Sequence, residues 1–209
     1  VAGYRPRVLV LRPEPRVHRP DPILGWRALP GRGKFGPYVS GGDDAAIIIR
    51  PDGARTAGPV VAGRGRPQVI LVGCSITMGW AVSDDETFAW HLQARRPDLE
   101  VLNYGEAGYG TVQSLLLLEE LLATGRRPAW VLYGEIHHHE ARNVAVPSWL
   151  EMLGSNSAGP VETPYATLAA GGHVQRHPPI GYPSFPLHEY LASAAVLERS
   201  NQLLGRPLG

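Results

Sequence analysis

The run Val69-Ile70-Leu71-Val72, followed by Gly73-Cys74-Ser75-Ile76-Thr77-Met78-Gly79, constrains this chain more than any other stretch. A short, unbroken apolar run rich in β-branched residues describes a strand buried on both faces, the habit of parallel sheets covered by helices. Small residues directly after such a strand make a tight strand-to-helix turn. A serine in that turn is lifted out at the carboxyl edge of the sheet. Open α/β sheets bind ligands at that edge, and hydrolytic α/β enzymes carry their nucleophile there. Ser75 is therefore the candidate nucleophile; a serine in an ordinary strand-to-helix loop is the alternative reading.

The segments that follow repeat the pattern. Ser83-Asp84-Asp85-Glu86 has the form of a capping box, and a helix through Phe88, Trp90, Leu92 and Gln93 is expected to end before Pro97. Leu99 to Tyr104 reads as a strand. Thr111 to Thr124 reads as a helix with Val112, Leu115, Leu116, Leu118, Leu121 and Leu122 on a wide apolar stripe, closed by Gly125 and Pro128. Ala129 to Ile136 reads as another strand. This β-α-β-α-β order with short connections predicts an α/β fold, a three-layer doubly wound parallel sheet. Residues 144–186 show little periodicity and are expected to be a long loop or lid, whereas Leu187 to Leu203 reads as a helix. So small a parallel sheet, in a chain that begins with Val1, leads to the expectation of a fold truncated at both ends.

Residues 1–64 differ in character, being rich in Pro, Gly and Arg. Arg7 to Leu11 and Ala45 to Arg50 are strand candidates, and Pro51-Asp52-Gly53 is a turn. This part reads as a β-rich leader or small module, with a partly ordered tail as the alternative, and residues 65–209 as the α/β domain. The 209 residues carry a net charge of +1, which gives no electrostatic case for nucleic acid or an anionic membrane as partner. No apolar run approaches the ~20 residues of a membrane span, and no signal-peptide pattern is visible. Cys74 is the single cysteine, so no internal disulfide can form. As the neighbour of Ser75 it faces the other way, and a small buried thiol is the better reading.

Asn103-Tyr104-Gly105-Glu106-Ala107-Gly108-Tyr109-Gly110-Thr111 follows the second strand. Its glycines permit close backbone approach and inward-pointing N–H donors, as an oxyanion hole requires. A turn that simply starts the leucine-rich helix is the other reading. Tyr133-Gly134-Glu135-Ile136-His137-His138-His139 ends the third strand. Neighbours on an extended strand point to opposite faces, so at best two of these histidines could converge on one metal ion. One histidine facing a pocket, with the others bonding nearby loops, is the favoured reading.

Three such motifs at one sheet edge resemble the SGNH/GDSL hydrolase superfamily in its bacterial form, over about residues 20–143. The resemblance implies Ser75 as nucleophile, with Cys74 standing where the family usually has Asp. Asn103, Gly105 and Gly108 match its Asn-x-Gly-x-x-Gly block, and the N–H groups of Gly108 and Ser75 would hold the oxyanion. The third block, Gly-x-Asn-Asp, has no Asn here. By register His138 lies nearest, with His137 and His139 as rivals and Asn143 as a more distant substitute. The stretches Asp21 to Trp26 and Asp52-Gly53-x-Arg55 resemble the leader of bacterial relatives. The closing Asp-x-x-His block is absent. Asp98 is the last Asp, and His173, His177 and His188 lack the preceding acid. The base is therefore expected beyond Gly209.

The family implies a serine esterase acting on small-molecule or carbohydrate esters, such as O-acetyl groups, with no metal or organic cofactor. Acyl transfer to a sugar hydroxyl is the variant reading. Two others compete: a non-catalytic carbohydrate-binding domain presenting Trp80, Tyr109 and Tyr133, and a metal-dependent enzyme using the histidine run.

Overall fold

A computed structural model describes residues 18–35, 43–59, 65–154 and 161–181, with Ser193, Val196 and Ser200. The strand expected at Arg7 to Leu11 and most of the helix expected at Leu187 to Leu203 lie outside the described residues. Two antiparallel hairpins come first: β1 (His18–Asp21) with β2 (Gly25–Ala28), and β3 (Gly31–Phe35) with β4 (Ala45–Ile49). Asp21 makes the first turn. Its Oδ1 accepts the N–H groups of Ile23 and Leu24 at 3.0 and 2.8 Å, the Asx turn that Asp favours.

The parallel sheet follows, with β5 (Gln68–Gly73) in the centre. It leads into α1 (Ser75–Met78), a 3₁₀ turn (Asp84–Glu86) and α2 (Phe88–Arg95), then β6 (Glu100–Asn103), α3 (Thr111–Ala123) and β7 (Trp130–Gly134). The strand order is β6-β5-β7, and both pairings are parallel. Side chains alternate across β5 as strand geometry requires. Ile70 and Val72 pack with Leu102, Tyr104, Leu117 and Leu121 towards α3. Val69 and Leu71 pack with Ala89, Leu99 and Val101 towards α2. Helices thus flank the sheet, and the chain is a mixed α/β fold.

The N-terminal hairpins join this core. Leu24, Trp26 and Ala54 belong to the same buried cluster as Ile70 and Val72. Arg55 bridges Ile49 on one side and Asn103 on the other, tying the second hairpin to the edge of β6.

Four expectations are corrected. The capping box at Ser83 and Glu86 exists, but it opens the 3₁₀ turn; α2 is capped by Thr87, whose hydroxyl accepts the Trp90 N–H at 3.1 Å. The inward face of α3 is Gln113, Ser114, Leu117 and Leu121, while Leu115 and Leu122 are exposed. Gln113 is drawn in because its amide bonds the Leu24 carbonyl at 2.8 Å. Residues 144–186 are not a featureless loop. They contain α5 (Pro147–Gly154) and the hairpin β8 (Thr163–Leu168) with β9 (Val174–Ile180), whose prolines and short apolar pattern hid them. The histidine run is not extended either, since β7 stops at Gly134 and α4 (His138–Asn143) begins within the run. Among the described residues β7 is an edge strand, and Trp130, Val131, Leu132 and Tyr133 are all more than a third exposed.

Candidate active site

Ser75 sits where the sequence put it, at the carboxyl end of the central strand. Gly73 takes φ 151°, Cys74 is extended with φ −95°, and Ser75 is the first residue of α1. Cys74 is fully buried, and Ser75 is partly exposed. The helix is one turn long. Gly79 ends it with φ 86°, and the Ser75 carbonyl accepts the N–H groups of Gly79 and Trp80 at 3.0 and 2.8 Å. No described side chain hydrogen-bonds the Ser75 hydroxyl.

Buried polar side chains hold this turn from below. A Cβ on Gly73, Gly105 or Gly134 would come within 2.8 Å of a Thr77 side-chain atom. The ends of β5 and β7 and the residue two past β6 therefore need glycine, because Thr77 occupies the space between them. Asn103, fully buried, donates to the carbonyls of Thr77 and Met78 at 2.9 and 3.3 Å and accepts the Gly105 N–H at 3.0 Å. Arg55, 1% exposed, donates to the carbonyls of Met78, Gly79 and Val82 at 3.1, 2.6 and 2.7 Å and to Asp84 at 2.8 Å. The first two lie at the carbonyl end of the one-turn helix and the third just beyond it, so a guanidinium fork gathers them together. Burial pushes the Asp84 carboxyl up, and the Arg55 charge and hydrogen bond pull against it.

The loop after β6 borders α1. The N–H groups of Tyr104 and Glu106 continue the ladder to the carbonyls of Leu71 and Gly73, at 2.8 and 3.0 Å. Gly105 lies against Thr77 and the Met78 N–H, where a Cβ would sit 2.4 Å from that nitrogen. Gly108 takes φ 83° and lies under two indoles; a Cβ there would sit 2.9 Å from Trp26 and 3.3 Å from Trp149. Trp26 donates to the Ala107 carbonyl at 2.9 Å, and Tyr109 donates to the Trp26 carbonyl at 2.5 Å. Among the described residues no hydrogen bond engages the N–H of Gly108 or of Ser75. Two backbone donors, held by rigid packing, are thus left for an acceptor at this edge.

At the third strand the histidines separate. His138 is exposed and tilts against exposed His137, with ring centroids 3.8 Å apart. His139 is fully buried, and its Nδ1 lies 2.5 Å from the Tyr133 hydroxyl. That hydroxyl is also 2.7 Å from the Thr111 hydroxyl. Burial lowers the His139 pKa, and the charges of Arg142 and His138 add to this. Asn143 is committed elsewhere. Its Oδ1 accepts the N–H groups of Thr111 and Val112 at 2.7 and 3.2 Å, and its amide donates to the Thr111 hydroxyl at 2.8 Å. It therefore caps α3 rather than standing in for the absent Asn. Among the described residues no group of three His, Cys, Asp or Glu side chains converges as metal ligands would.

His177, on β9, stacks on Tyr165 at 4.5 Å and lies 2.8 Å from the Thr167 hydroxyl. His173 is exposed in the β8–β9 turn, and His188 falls outside the described residues. Tyr109 is 1% exposed and packs edge-on against Trp26, so it offers no stacking surface, whereas Trp80 and Tyr133 keep part of theirs. A small cavity of about 30 Å³ lies beside the loop, lined by Arg27, Asp52, Tyr104, Glu106 and Tyr109 among others. Sequence reasoning missed Glu106, which is buried and paired with His18 at 2.8 Å. A lone Glu between glycines gave no signal of a partner 88 residues away. No helix among the described residues is long and apolar enough to cross a membrane. Comparison with protein-family models, with curated proteins and with solved structures finds no match for this chain.

Proposed function

We propose that this chain is a serine esterase of SGNH/GDSL type, built on a three-layer doubly wound sheet. One observation carries the reading: a partly exposed serine opens a one-turn helix at the carboxyl edge of the central parallel strand, beside a loop whose Gly108 N–H is unused. Ser75 attacks the ester carbonyl. The negative charge that develops on the carbonyl oxygen is met by the N–H groups of Ser75 and Gly108, donors already fixed by packing and so costing no reorganisation. His138, exposed at the start of α4, is the candidate third donor. The proton of Ser75 goes to a histidine that the described residues do not supply, and returns from it to the leaving alcohol. Water as acceptor gives hydrolysis, and a sugar hydroxyl gives acyl transfer. The substrate class that fits the resemblance is a small acyl ester, including O-acyl carbohydrate.

The test is labelling by a fluorophosphonate together with turnover of a p-nitrophenyl acetate substrate. Ser75→Ala is expected to abolish labelling and to lower kcat by about 10³-fold or more. Equal turnover in a folded Ser75→Ala protein would overturn the reading.

A further inference from the structure

Glu106 stands in the middle of the loop that carries Gly108, and its carboxylate is turned inward. Oε1 accepts the Ala107 N–H at 2.8 Å, and the same oxygen lies 2.8 Å from Nε2 of His18. His18 opens β1, so this contact joins the first hairpin to the loop. The pair is well covered, with side-chain exposures of 23% for His18 and 4% for Glu106. It does not act alone at this interface. Trp26 bonds Ala107 and covers Gly108, and Gln113 ties the Leu24 carbonyl to the start of α3. Those two ties are neutral, and the charged pair of Arg27 with Glu120, at 3.1 and 2.9 Å, reaches α3 rather than the loop; His18 and Glu106 can carry opposite charges at the loop itself.

Resting on the esterase reading of Ser75, we propose that His18 and Glu106 are positioning residues for that reaction. They latch the β1–β2 hairpin to the Gly105–Gly110 loop and so fix the Gly108 N–H where the oxyanion forms. A donor displaced by a fraction of an ångström loses its hold on the transition state more than on the bound ester, so the latch acts on kcat rather than on KM.

The latch also carries a sign with pH. Burial alone would lower the His18 pKa, but the charge and hydrogen bond of Glu106 outweigh it, and the pKa is raised. The histidine's half of the ion pair is therefore favoured below that raised value and is lost as pH rises through it. Arg27 from β2, Asp52 from the turn after β4, and Tyr104 and Tyr109 from the loop share the cavity beside Glu106. Asp21 and Glu120 lie within electrostatic reach of Tyr109.

The experiment compares His18→Ala, His18→Gln and Glu106→Gln with the parent chain. It measures ester turnover from about pH 5.5 to about pH 8.5 and hydrogen exchange of the Ala107 and Tyr109 amides. His18→Ala is expected to lower kcat about tenfold or more with KM within about twofold, and to speed exchange at both amides. His18→Gln keeps a donor that does not titrate. It is expected to restore kcat and to remove the alkaline loss that the latch gives the parent. Combining His18→Ala with Glu106→Gln should add little to the first change, because both remove one contact. Unchanged exchange in His18→Ala would overturn the latch whatever the activity does, and unchanged kcat with faster exchange would overturn its role in the reaction. Undiminished turnover in Ser75→Ala would instead sink the esterase reading and with it the catalytic role, leaving the exchange data to decide the latch.

Discussion

Thr77 fixes the residue types around it, since its side chain fills the space where three loops meet. Gly105→Ala would set a Cβ 2.4 Å from the Met78 nitrogen and 2.7 Å from the Thr77 carbonyl carbon, both backbone atoms that cannot swing aside. Such overpacking is expected to cost about 1–3 kcal/mol, read as a lower urea midpoint at unchanged m-value. Asn103→Ala removes the amide that holds the Thr77 and Met78 carbonyls. With the Thr77 carbonyl losing this donor and the Met78 carbonyl left to Arg55, a loss of about 1–3 kcal/mol is expected. On the proposed esterase reading turnover should fall as well, because the same amide holds the turn that carries Ser75. His139 titrates in the opposite sense to His18. Its folded pKa is lowered, so its neutral form contributes stability above the ordinary histidine value that is lost as pH falls through the folded one.

At the scale of elements, α1 depends on neighbours because it is one turn long and cannot stand alone. Arg55 is the chief support, reaching from the strand-like segment after β4 to the carbonyl end of that turn. Arg55→Met would strand the partly buried Asp84 carboxylate and take a donor from three carbonyls. It is expected to cost about 3–5 kcal/mol, checked by chemical denaturation, with Arg55→Lys recovering only part because a lysine cannot fork. The first hairpin rests on Asp21. Burial would raise its carboxyl pKa, but hydrogen bonds from the Leu24 and Ile23 N–H groups and from Arg27 prevail and hold it below the usual range. Its stabilisation is complete above the unfolded carboxylate value and is lost as pH falls through the lower folded one. Asp21→Ala should therefore flatten the acid limb of the stability curve.

For the whole molecule, His18 and His139 oppose each other. Stability contributed through His18 falls as pH rises, and that through His139 rises. Urea midpoints between about pH 5.5 and about pH 7.5 should rise with pH in His18→Gln and fall in His139→Gln. Local pattern made part of this molecule legible. Short continuous apolar runs bounded by turn residues read as strands, and an apolar stripe closed by glycine and proline reads as a helix, so β5, β6, β7, α2 and α3 were readable within a residue or two. The placing of Ser75, Asn103 and Gly108 at one edge followed from the order of those elements. The inward face of α3 was not readable, because Gln113 is buried by a partner in a distant hairpin. Nor were β8 and β9, whose pattern is short and broken by proline. The fate of the histidines turned on where β7 stops: a strand would have set neighbours on opposite faces, and the helix that begins there buries one and exposes another. Periodicity and turn chemistry, which act between near neighbours, thus determined the central elements and the candidate nucleophile. Burial of polar groups acts between residues far apart in the chain. Only the tertiary structure could decide that Arg55, Asn103, Thr77 and the His18–Glu106 pair hold that nucleophile's surroundings in place.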